Sequence, residues 1–105
     1  MVPGELRPGS ADHLMVVLLP PGTDRHALRT TLSQSGIATS VHFQPLHRFE
    51  WFRNHAVVGP IGIAVAERLA DRALSLPLHP AMTDAQVDRV VDGLAEALRG
   101  GGARP

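Results

Sequence analysis

Leu14-Met15-Val16-Val17-Leu18-Leu19 is the longest unbroken apolar run in the sequence, and Pro20-Pro21-Gly22 ends it. Six residues with no polar interruption suit a strand covered on both faces. The same length is far too short to cross a bilayer. A chain of 105 residues has room for one domain around such a strand, and burying roughly 65% of its unfolded surface leaves little for an internal cavity.

The stretches after that run carry their own signals. Thr23 or Asp24 can cap a helix, Leu28 and Leu32 lie one turn apart, and Gly36 stands where a left-handed C′ residue belongs. Ile37 would then meet Leu32 in a Schellman stop. Ala38 to Phe43 alternates as a second strand, with Val41 and Phe43 on one face and Ser40 and His42 on the other. Gln44 to Gly59 shows no clean period and reads as a loop. Pro60 suits the first turn of a second helix, in which Ile61, Val65, Leu69 and Ala73 recur every fourth residue. Leu74 to Leu78 alternates as a third strand, which Pro77 must end or confine to an edge. Thr83 and Gln86 form a capping box for a last helix with Val87, Val90, Val91, Leu94 and Leu98 on its apolar face. Asp84 and Asp88 near its start and Arg99 at its end complement the helix dipole, and Gly100 to Gly102 stop it. The predicted fold is α/β (α+β): β-α-β-loop-α-β-α, a small sheet with helices mainly on one face. Residues 1–12 are expected to be a flexible lead-in, 13–99 the domain, and 100–105 a disordered tail.

Composition narrows the chemistry. Ten basic residues balance ten acidic ones, so no basic field invites nucleic acid or an anionic membrane. Every basic residue is arginine; without lysine, amine chemistry by a side chain is excluded. A GC-rich genome would also favour that usage. The absence of cysteine removes disulfides, thiolate nucleophiles and zinc ribbons. Met1 to Asp12 carries prolines, glycines and an acid where a signal peptide needs an apolar stretch, which leads to the expectation of a soluble, cytoplasmic protein. Six histidines show no metal-ligand spacing, and no G-x-S-x-G elbow supports a serine nucleophile, so neither a metal site nor a catalytic residue is expected. Gly59-Pro60-Ile61-Gly62 is read as a helix start rather than an anion site.

One stretch remains. All four aromatic residues, Phe43, Phe49, Trp51 and Phe52, fall within ten positions, close to His42 and His47. They either anchor the loop over the sheet edge or present a wall to a ligand or partner, and loops after strands are favoured places for binding groups.

The run Ser35-Gly36-Ile37-Ala38-Thr39-Ser40-Val41-His42-Phe43-Gln44-Pro45-Leu46-His47 resembles the C-terminal part of the DegT/DnrJ/StrS family. So do Ser10-x-x-His13-Leu14 before it and Pro60, Ala66-Glu67, Leu74-Ser75-Leu76-Pro77-Leu78 and Met82-Thr83-Asp84-Ala85-Gln86-Val87 after it. The resemblance covers about Ser10 to Leu98. It implies pyridoxal-phosphate-dependent aminotransferases of nucleotide-linked keto-sugars, with the aspartate-aminotransferase-type fold. In that family a large domain holds the cofactor through a lysine Schiff base, and a small C-terminal domain helps close the substrate cleft. This chain matches the small domain only. By that resemblance His42, Gln44 and His47 are substrate-contacting residues, with no catalytic or cofactor-binding position and no pyridoxal phosphate held by this chain alone. The expected partners are a large cofactor-binding domain or further copies of the chain. Two functions are carried forward: a truncated or split small domain of a sugar aminotransferase, inactive alone, and a stand-alone ligand-binding or interaction domain that keeps the fold. The first expects an exposed apolar sheet face or helix stripe where a large domain docks.

Overall fold

The computed structural model describes residues 8–102. In chain order these form strand β1 (Met15–Leu18), helix α1 (Arg25–Gln34), a 3₁₀ turn (Leu46–Arg48), helices α2 (Glu50–His55) and α3 (Ala64–Ala70), strand β2 (Ala73–Leu76) and helix α4 (Asp84–Ala97). Most of the expected lead-in, and the end of the expected tail, lie outside the described residues.

Local chemistry sets the ends of the two long helices. Asp24 caps α1, its carboxylate accepting from the Ala27 amide at 3.0 Å. The Schellman stop forms as the sequence predicts. Ile37 N–H donates to the Leu32 carbonyl at 2.9 Å and Gly36 N–H to that of Ser33 at 3.0 Å, with Gly36 at φ +77°. On α4 the capping box closes both ways: Gln86 N–H donates to Thr83 Oγ1 at 3.2 Å, and Thr83 N–H to Gln86 Oε1 at 2.9 Å. The glycines do not end this helix sharply, because Leu98–Gly102 continues it as a π turn.

β1 and β2 pair antiparallel, with Val17 opposite Leu74 and Met15 opposite Leu76. Directly opposed residues share a face, so Val17, Leu74 and Leu76 point the same way. That face meets the core: Leu19, Leu28, Leu32, Ile37, Leu74 and Ala97 are buried, with Val90, Leu94 and Leu98 packed against them. Helices α1 and α4 therefore cover one side of the sheet. β1 is not covered on both faces as its composition suggested, and none of its four residues is fully buried.

The second strand is the main correction. Residues 38–43 contribute one isolated antiparallel bridge, Ser40 to Ser75, with Ser40 N–H donating at 3.0 Å and Ser75 N–H at 2.8 Å. In an antiparallel ladder the next bonded positions on β2's free edge are two residues away on either side. On one side stands Pro77, which has no N–H. On the other, the Ala73 carbonyl accepts from Arg25 Nη1 at 3.0 Å. The edge of β2 has one complete pair of groups to offer, and Ser40 takes it.

The second helix is also shorter than predicted. Gly59-Pro60-Ile61-Gly62 forms a turn, with Gly62 N–H donating to the Gly59 carbonyl at 2.9 Å and Gly62 at φ +80°. Proline second and glycine fourth suit a type I turn. A left-handed residue cannot lie inside a helix, so α3 begins only at Ala64. Ala73, placed on that helix by its spacing, belongs to β2 instead. The stretch read as a loop holds the 3₁₀ turn and α2.

Leu74 has 0% of its surface exposed and sits between both helices and β1. Leu74→Ala should cost about 2–5 kcal/mol in urea denaturation. Val57→Ser, at a side chain 95% exposed, should stay within about 0.5 kcal/mol of the parent.

Candidate functional site

No residue from 38 to 73 is buried, yet this span carries all four aromatic residues. Phe43 is 82% exposed, Trp51 63% and Ile61 100%, and Leu46, Phe49, Val58 and Val65 are exposed as well. The aromatics do not anchor the segment in the core. Their contacts are local: the Trp51 indole stacks on His55 with centroids 4.5 Å apart and meets Phe52 edge-on at 5.2 Å.

Polar ties hold this span instead. Arg25 reaches from α1 to donate to the carbonyls of Ala70 at 2.6 Å and Ala73 at 3.0 Å, closing the C-terminal end of α3. Arg29 donates to Thr39 Oγ1 at 3.2 Å and to the Thr39 carbonyl at 2.9 Å. Arg48, at the end of the 3₁₀ turn, grips Glu67 in a two-pronged contact, Nε to Oε1 at 3.1 Å and Nη2 to Oε2 at 3.0 Å. Its Nη1 reaches Asp71 Oδ1 at 2.7 Å. The planar guanidinium suits this bidentate geometry where an ammonium would not. Arg48 and then His47 hydrogen-bond Glu67 and hold its carboxyl well below the ordinary value, at about 2. Arg48 likewise lowers Asp71.

The three residues expected to meet substrate are placed differently from one another. His42 is exposed, with Nδ1 2.9 Å from the Oγ of buried Ser75. Gln44 lines a cleft of about 400 Å³ with Arg25, Val41, Pro45, Arg48 and Ala70. His47 is half-buried, and its Nε2 contacts Glu67 Oε1. The cleft thus takes Gln44 from the predicted set and neither histidine. Arg25, Arg48, Glu67 and Asp71 were missed by sequence reasoning. One signal was available: Glu67 and Asp71 are four apart, hence on one helix face, and a single arginine can bridge such a pair.

The arrangement can form hydrogen bonds to a polar ligand through Gln44 and the remaining Arg25 donors. It does not amount to a strong anion site, because Arg48 is already matched by two carboxylates. The donor set does not fit pyridoxal phosphate as a covalently held cofactor, since none of the 105 residues is lysine. Among the described residues no cluster of three or more His, Asp or Glu is placed to hold a metal ion, and no helix is long and apolar enough to cross a membrane.

Because folding lowers the carboxyl pKa of Glu67 from 4.5 to about 2, its stabilising effect is present above that upper value and is lost as the pH falls through the window. Both partners are exposed enough for solvent to screen the pair, so the effect is modest. The stability difference between the parent and Arg48→Met, followed by Trp51 emission in urea melts, should therefore shrink as pH falls from 4.5 to 2. High salt should shrink it too.

Comparison with solved structures places this geometry in a larger frame. An aminotransferase, TlmJ, from Streptoalloteichus hindustanus aligns with 94% of the chain at 28% identity and a TM-score of 0.76. A DegT DnrJ EryC1 StrS aminotransferase from Brucella abortus aligns with 90% at 32% identity and a TM-score of 0.75. Helicobacter pylori PseC, an aminotransferase involved in pseudoaminic acid biosynthesis, shares the fold over 83% of the chain at 20% identity and a TM-score of 0.73. The chain spans only 22% to 26% of the length of the solved structures it matches. Residues 2–95 match one family throughout. With the predicted fold found in these neighbours, the chain belongs to the DegT/DnrJ/EryC1/StrS aminotransferase family.

Proposed function

We propose that this chain acts as the C-terminal small domain of a pyridoxal-phosphate-dependent aminotransferase of nucleotide-linked keto-sugars in the cytoplasm, and that it is inactive without a large cofactor-binding domain. The observation that carries this reading is the span 38–73, which is ordered by arginine ties, has no buried residue and leaves most of its large apolar side chains in solvent. A patch of this kind marks a surface made to be covered. Most of it lies in the loop and short helices, and a helix stripe of the expected kind adds Val87 and Val91, one turn apart and exposed on α4. A free-standing ligand-binding module has no need of Phe43, Trp51 and Ile61 at such exposure.

In this reading His42, Gln44 and His47 stand on the substrate side of the closed cleft, where they orient the sugar while the other domain reacts. The cofactor, when bound to that domain, supplies the electron sink for amino transfer. This chain's part is shape and hydrogen bonding.

Incubating the purified chain with pyridoxal phosphate, reducing it with borohydride and mapping adducts by mass tests this division of labour. The expected adduct is confined to the α-amine and formed in low yield. A stoichiometric side-chain adduct, or turnover of glutamate by the chain alone, would overturn the proposal.

A further inference from the structure

His42 and His47 differ in what holds their rings. His42 faces the Ser75 hydroxyl, which can donate or accept, so that contact leaves the ring's tautomer open. His47 faces the Glu67 carboxylate. Arg48 grips both oxygens of that carboxylate and is itself held by Asp71, so the group is oriented as well as charged. Glu67 stays ionised at any pH near neutrality. An ionised carboxylate only accepts, and the hydrogen in its contact with His47 must sit on Nε2. In the neutral ring Nδ1 is then the acceptor, and no described residue donates to it.

We propose that Glu67 is a positioning residue for His47, fixing the imidazole with its proton on Nε2 and leaving Nδ1 to accept from a ligand hydroxyl. The proposal rests on the reading of His47 as a substrate contact, and adds the ring atom used and the chemical group it takes. A bare Nδ1 lone pair suits the O–H of a sugar ring. It repels a phosphate oxygen, which offers another lone pair. The histidine would therefore meet the sugar part of a nucleotide-linked substrate and not its diphosphate.

The test is the imidazole ¹⁵N spectrum of the purified chain at about pH 8, where an ordinary imidazole is neutral. The His47 signals are identified by their loss in His47→Gln. In the parent, His47 should show a pyridine-like Nδ1 and a pyrrole-like Nε2, the signature of one tautomer. In Glu67→Ala the Nδ1 signal should move upfield and the Nε2 signal downfield towards averaged positions, while His42 stays put and the far-ultraviolet circular dichroism is unchanged. A merely structural Glu67 would alter the dichroism or melting and leave the tautomer alone. An averaged or Nδ1-protonated His47 in the parent, or unmoved His47 signals in Glu67→Ala, would overturn the proposal. The measurement uses neither ligand nor large domain, so failure of the aminotransferase reading would leave the tautomer result standing.

Discussion

Among the described residues, six buried apolar side chains hold this fold together, and none of them lies between residues 38 and 73. Fully burying a leucine contributes roughly 1.5–3 kcal/mol, so Leu19, Leu28, Leu32 and Leu74 account for most of what the core can provide. They tie β1, α1, β2 and α4 into one unit. About a third of the chain is left to be organised by something else. Arginine supplies it: Arg25, Arg29 and Arg48 reach carbonyls or carboxylates that anchor the strand-like segment, the 3₁₀ turn and α3. Single ties of this kind are weak at an exposed surface. They hold geometry more than they hold energy.

That division matters for function. The part with the core is a scaffold, and the part without it carries His42, His47, Gln44 and the exposed aromatics. On the proposed reading, a small domain that closes on another domain keeps its contact surface apolar and its own packing elsewhere. Arg48, Glu67 and Asp71 then fix the segment's geometry, without a core's stability, through groups that leave the apolar side chains free.

How much of this could be read from the sequence depends on which force wrote each element. α1 and α4 were legible to their caps, since Asp24, Gly36, Thr83 and Gln86 act through neighbours a few residues away. The failures lie where the deciding group is distant. Ala38 to Phe43 alternates like a strand, but the edge it would join is closed by Pro77 and by Arg25, and Arg25 lies on another element. Ile61, Val65, Leu69 and Ala73 keep a helical spacing that Gly62 interrupts by its left-handed backbone. At the site, Gln44 and both histidines were named from their place after a strand and from family resemblance. The Arg48–Glu67–Asp71 cluster was not: the spacing of Glu67 and Asp71 points to a shared partner, but that partner, Arg48, lies about twenty residues away on the 3₁₀ turn and no local pattern names it.

Amide hydrogen exchange on the isolated chain, read by mass spectrometry, tests most directly whether the chain is a scaffold carrying an uncovered contact segment. The account predicts slow exchange in α1, β2 and α4, and early exchange across residues 46–70 at neutral pH and ordinary salt. Exchange in residues 46–70 as slow as in α4 would show a segment stabilised as well as the core, and would contradict it.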